Sequence, residues 1–289
     1  MKNETMLNVL FLIGAVVTIA AQSIVKKSYN VRIGNRGAWT FSAVSVLAAA
    51  LFFLVSSGFS LDFKAEIIPY ALIFGVGYGV AIVGIFLAIL HGSLSLTSLV
   101  ISYSLIFPTF WGIIFLNESI SVTFIIGLAL LMVSLFLINS KKGDGKITLS
   151  WVFFALLAFL GNGAGATVQL VQQRDFGGEY KSEFMIVALV AVAIVLFVVA
   201  ALSERGDVLA CTRLGGIEMA LCGLFNGASN LFVMLIVVRM NASIAYPIIS
   251  AGGIILTWVV SRFIYKERLS RAQNISLILG IASVVFMNI

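Results

Sequence analysis

Ten runs of about twenty apolar residues, parted only by short polar stretches, fill most of this chain. They lie at roughly 6–25, 37–57, 67–90, 93–116, 120–139, 148–171, 184–203, 214–238, 241–264 and 272–289. About 20 such residues cross a bilayer as one helix. In lipid each backbone N–H and C=O must find its partner inside the segment, which leaves helices as the spanning form here. The pattern predicts an all-α integral membrane protein with ten transmembrane helices. Charge agrees with it: 10% of the residues are charged, against about 25% in soluble domains. The first span has no small-residue cleavage site and reads as a retained helix rather than a signal peptide.

The second half echoes the first. At an offset of 149, Glu118, Ser121, Ile126, Leu128, Leu130, Ser134 and Asn139 meet Glu267, Ser270, Ile275, Leu277, Leu279, Ser283 and Asn288. At an offset of 147, Gly14, Gln22 and Lys27 meet Gly161, Gln169 and Arg174. A polar run, Lys141-Lys142-Gly143-Asp144-Gly145-Lys146, separates the halves, giving repeats at 1–140 and 147–289. Five spans per half is an odd number, so the second repeat inserts upside-down relative to the first. The expectation is an inverted pair related by a pseudo-two-fold axis in the membrane plane, with a solute site where the repeats meet.

The net charge of +6 is not a nucleic-acid footprint, because the basic residues lie at helix ends and in short loops. The side bearing the termini holds Lys2, Lys64, Arg174, Lys181 and Arg239. The other side holds Lys26, Lys27, Arg32, Arg36, Lys141, Lys142, Lys146, Arg205, Arg213, Arg262, Lys266, Arg268 and Arg271. The positive-inside rule then puts both termini outside, with Lys26, Lys27 and Arg262 open to a second reading as snorkelling helix-end residues. Cys211 and Cys222 form no CxxC or ligand set and read as packing residues. The lone histidine, His91, cannot build a metal site by itself, so neither metal nor cofactor is expected.

Polar residues inside spans carry the remaining signal, since they are costly in lipid and face a cavity or another helix. Span six holds Asn162 and Gln169, seven apart on one face; span eight holds Asn226 and Asn230, four apart on one face. Gln22 lies in span one, Tyr78 in span three and Tyr103 in span four. These residues either line a wet cavity or join helices through hydrogen bonds worth about 0.6 kcal/mol each. The pairs Gly75/Gly79, Gly161/Gly165 and Gly223/Gly227 have the spacing of close helix contacts. The run Gly75-Val76-Gly77-Tyr78-Gly79 has the letters of a potassium filter but sits within an uninterrupted apolar span, which rules that reading out. Pro108 and Pro247 each remove a backbone donor and mark bends or gates in spans four and nine. Glu218 is the one charge well inside a span, while Glu118 and Glu267 precede the last helix of each half and suit its N-terminal dipole.

The five-plus-five plan, with Leu-Asn-Glu-Ser-Ile-Ser after span four and Tyr-Lys-Glu-Arg-Leu-Ser after span nine, resembles the drug/metabolite transporter superfamily, EamA type. The segment Ala242 to Leu269 is similar to the third helix of the small multidrug resistance proteins. That resemblance implies a substrate-facing role for Tyr246 and a helix bend at Gly252 and Gly253. Gly14 to Lys27 resembles their first helix, but Ile19 stands where that family has its proton-coupling glutamate. The resemblance implies a transporter that uses no ATP, and places Asn162, Gln169, Asn226 and Asn230 on cavity helices.

The expected activity is secondary transport by alternating access, directed outward across a bacterial cytoplasmic membrane. The partners are a small solute and the bilayer, and the working unit is a monomer whose halves stand in for a dimer. A cavity of amides, hydroxyls and phenols without a carboxylate suits neutral or zwitterionic, amino-acid-like solutes. Export of lipophilic cations is the alternative, through aromatic contacts. An enzyme would need an acid pair, a histidine cluster or an activated nucleophile, and none is legible. A sensory partner would need an extramembrane domain.

Overall fold

In a computed structural model, residues 2–34, 36–118, 121–138, 147–266 and 270–286 are described. The linker run Lys141 to Lys146, Glu267 and Asn288 lie outside them. The described residues form eleven α-helices with one short 3₁₀ turn, and no strand. The helices are α1 (Lys2–Ile33), α2 (Ala38–Ser56), α3 (Ile68–His91), α4 (Leu94–Tyr103), α5 (Ile106–Phe115) and α6 (Val122–Ile138). They continue with α7 (Leu149–Asp175), α8 (Lys181–Ser203), α9 (Asp207–Val237), α10 (Ala242–Phe263) and α11 (Arg271–Phe286).

Eight segments are long and apolar enough to cross a membrane, the pair α4 and α5 counting as one. The other two expected spans are the shorter α6, of 17 residues, and α11, of 16, which pack on each other. Outer faces carry exposed apolar side chains such as Val76, Ile194 and Ile217. Two positions along α3 from Val76, Tyr78 is buried. This is the polarity that lipid requires, and the molecule is a multi-pass helical membrane protein.

Span four is broken where its sequence demands it. Pro108 has no N–H to offer Ser104, four residues earlier, and its ring crowds that carbonyl. The chain tightens at this point, with Ser104 N–H donating to Ile101 O at 2.9 Å and Phe107 N–H to Ser104 O at 3.1 Å. The result is the break between α4 and α5. Pro247 lies near the start of α10, and that helix continues unbroken through Gly252 and Gly253 to Phe263.

Helix contacts cross the halves. The packing pairs are α3 with α7, α1 with α9, α2 with α8 and with α9, and α6 with α11. Backbone meets backbone between α3 and α7: a Cβ built on Gly161 would stand 2.5 Å from Gly77 O. The α3 glycine at the closest approach is therefore Gly77, while Gly75 and Gly79 face Val192 of α8. Gly223 makes a second close approach, where a Cβ would stand 2.2 Å from Ser45 O.

Two helices without a side-chain cap of their own receive a distant carboxylate. Glu204 accepts from the N–H groups of Trp39 and Thr40 in α2, both at 2.9 Å, and from Thr40 Oγ1 at 2.6 Å. Glu118 accepts from Ala242 N–H at 2.9 Å and Ser243 N–H at 2.8 Å at the start of α10. The helix it stabilises is thus α10 in the other half, and not the α6 that follows it. Asn117, with φ 55°, turns the chain just before it. The interior charge Glu218 pairs with Arg32 at 2.6 Å.

Candidate functional site

One cavity of about 140 Å³ lies among α1, α3, α4, α7, α9 and α10. A water takes roughly 10–15 Å³ of such volume, so there is room for about ten waters or a solute with about that many heavy atoms. Seven of the eight expected cavity residues line it: Gln22, Tyr78, Asn162, Gln169, Asn226, Asn230 and Tyr246. Gly253 lines it as well, whereas Gly252 packs toward Val16 of α1, its built Cβ falling 2.5 Å from Val16 Cγ2. Pro108 and Pro247 are not in the wall.

The eighth, Tyr103, is elsewhere. Its hydroxyl is 2.6 Å from Ser134 Oγ, in the contact of α4 with α6 and α11, where Ser134 also bonds Ser276. It sits in span four on the side turned away from the cavity; Ser102, one residue earlier, lines the wall instead. A helix turn of 100° per residue separates the two faces.

The wall residues bond to one another across helices. Tyr78 OH donates to Asn226 Oδ1. Asn226 Nδ2 donates to Gln22 Oε1 at 3.0 Å, and Gln22 Nε2 to Ser229 Oγ at 3.2 Å. Gln169 Nε2 donates to Asn230 Oδ1 at 3.0 Å, and Asn230 Nδ2 to Asn226 O at 3.0 Å. Gln22 and Gln169, which match at the sequence offset of 147, therefore each join an asparagine of α9. At the α4–α5 break, Asn162 Nδ2 donates to Ser104 Oγ at 2.6 Å. Tyr246 OH, on α10, donates to Ala166 O of α7 at 3.3 Å. The amides thus join helices and line the cavity at the same time.

Sequence reasoning missed the one charged wall residue. Lys26 lines the cavity and is 2% exposed. The apolar run of span one ends near residue 25, which puts Lys26 with the basic residues at the helix end. The helix α1 continues to Ile33, which carries Lys26 inside the bundle. The signal was present: Ile19, Gln22, Ser23 and Lys26 have the i, i+3, i+4, i+7 spacing of one helix face, and all four line the cavity. Ser98, Ser102 and Thr257 add hydroxyls, and the Ser98 oxygen is buried without a hydrogen-bond partner. No group of three or more metal-ligating side chains comes together among the described residues.

These features define a class: a multi-pass helical membrane protein with a largely apolar cavity inside the bundle, into whose wall a set of amide, hydroxyl and phenol side chains is built. No family model and no curated protein matches the chain. A solved structure described as "Crystal structure of protein" is similar at a TM-score of 0.65 and 12% identity, over 96% of this chain and 95% of that one. The likeness shows a shared fold over nearly all of both chains.

Proposed function

We propose that this protein is a secondary transporter, moving a small polar solute through the cavity by alternating access between two inverted five-helix repeats. The observation that carries the reading is that one cavity, walled by helices of both halves, is lined by the amide network of Gln22, Gln169, Asn226 and Asn230. Exchanging α1, α2, α3, α4–α5 and α6 with α7, α8, α9, α10 and α11 turns the α3–α7 contact into α9–α1, and leaves α2–α8 and α6–α11 unchanged. That exchange supports an inverted repeat. The resemblance to EamA-type drug/metabolite transporters supports the same class.

The cavity volume fits amino-acid-sized metabolites. Lipophilic cations are disfavoured, because Lys26 would repel them and no wall carboxylate would receive them. The monomer supplies a whole cavity, and a bacterial cytoplasmic membrane is the setting we assign. The test is uptake of labelled solutes by proteoliposomes holding the purified protein. Saturable flux above protein-free vesicles supports transport. Flux at the protein-free rate for a broad set of metabolites refutes it.

A further inference from the structure

We infer that Lys26 is the counter-charge for an anionic group on the solute, so that the cavity takes small molecules bearing a carboxylate or a phosphate. Calling that molecule a cargo rests on the transport reading; the binding site itself rests on the cavity. Lys26 is the only charged residue in the wall, and none of the described carboxylates lines it. Four of them are engaged elsewhere: Glu118 on α10, Glu204 on α2, Glu183 on Asp62 N–H, and Glu218 on Arg32. No described acid lies within ion-pair reach of Lys26.

A buried ammonium without a partner is costly, and buried charges in folded proteins are accordingly paired. Among the described residues no carboxylate pairs with Lys26, and its side chain lines the cavity. An entering anion removes the imbalance, whereas a neutral solute leaves it and a cation worsens it. A second observation points the same way. The Ser98 hydroxyl is buried in that wall with no hydrogen-bond partner, and a hydroxyl donor strengthens when its acceptor is ionised. Gln22, four residues before Lys26 on the same face of α1, already bonds Asn226 and Ser229, so it does not neutralise the lysine. The sequence expectation of a neutral or zwitterionic solute is thereby narrowed to one with a negative group available to Lys26.

The test is isothermal titration and thermal unfolding of the full chain in nanodiscs with matched probe pairs. One arm sets lactate, propionate and succinate against their amides; the other sets glycerol 3-phosphate against glycerol. The prediction is that at least one anion binds tenfold or more tightly than its neutral partner, and the arm in which this occurs separates carboxylate from phosphate. Lys26→Met and Lys26→Gln should abolish the preference, and Lys26→Arg should retain part of it. Neutral partners binding as tightly as the anions, binding by no anion, or a preference kept in Lys26→Met would each overturn the proposal. The wild-type comparison stands without any variant, so a misfolded mutant does not decide the outcome. The same pairs in proteoliposome counterflow separate the two claims. Anion binding without flux refutes transport and leaves the site, whereas equal flux of anion and amide refutes the site and leaves transport.

Discussion

Asn226 Nδ2 donates to Gln22 Oε1 across 3.0 Å, tying α9 of the second half to α1 of the first at the cavity wall. The same asparagine receives Tyr78 OH from α3 and is the residue on which three helices converge. Its removal strands two buried polar groups, each worth about 1–3 kcal/mol when unsatisfied. Asn226→Leu should lower unfolding stability by about 2–6 kcal/mol, read as a drop in melting temperature of the detergent-solubilised protein.

Asn230 and Tyr246 are the better probes of function, because each makes fewer cross-helix bonds. Asn230→Ala and Tyr246→Phe should keep expression and shift stability by less than about 1 kcal/mol. Solute flux should fall about tenfold or more, equivalent to about 1.4 kcal/mol of lost binding. Wild-type kinetics in both variants would remove these residues from the cargo site.

Tyr103 gives the opposite pattern. Its hydroxyl bonds Ser134 outside the cavity. Tyr103→Phe should lower stability by about 1 kcal/mol while leaving the KM of transport unchanged. A raised KM with unchanged stability would return Tyr103 to the wall.

Helix approach distances set a sharp contrast within α7. A methyl group on Gly161 meets Gly77 O at 2.5 Å, and backbone cannot rotate away. A methyl on Gly165 has Phe74 as its nearest neighbour, at 3.7 Å. Gly161→Ala should cost about 1–3 kcal/mol by overpacking and reduce the yield of folded protein, whereas Gly165→Ala should behave as wild type. Equal yields and melting temperatures for both would contradict the α3–α7 contact.

The two long-range caps offer a further check. Glu118→Ala strips the start of α10 of two acceptors, and Glu204→Ala strips α2 of three bonds. Each should cost about 0.5–2 kcal/mol, and Glu118→Gln and Glu204→Gln should recover part of it, since an amide oxygen still accepts. Thermal unfolding of the four variants reads this directly.

Much of this was legible in the sequence because lipid leaves few options. Run length gave the helices, and polar residues inside apolar runs gave seven wall positions. What escaped had physical causes. Helices extend past the apolar core, so Lys26 reads as a residue of the span's end although α1 carries it into the bundle. Spacing says which residues share a face but not which face is inward, which is why Tyr103 is expected in a wall that Ser102, one residue earlier, lines instead. Local sequence also cannot reveal a cap supplied from 124 or 164 residues away, as for Glu118 and Glu204.

Alternating access through this cavity is tested most directly by reaching the wall from each side of the membrane. Ser102→Cys places a thiol on the wall, in a chain whose two buried cysteines carry Cys211→Ala and Cys222→Ala. In oriented vesicles, a membrane-impermeant thiol reagent should label this position from either face, and bound solute should slow both reactions. Labelling from one face only, or from neither, whatever solute is present, would contradict the account.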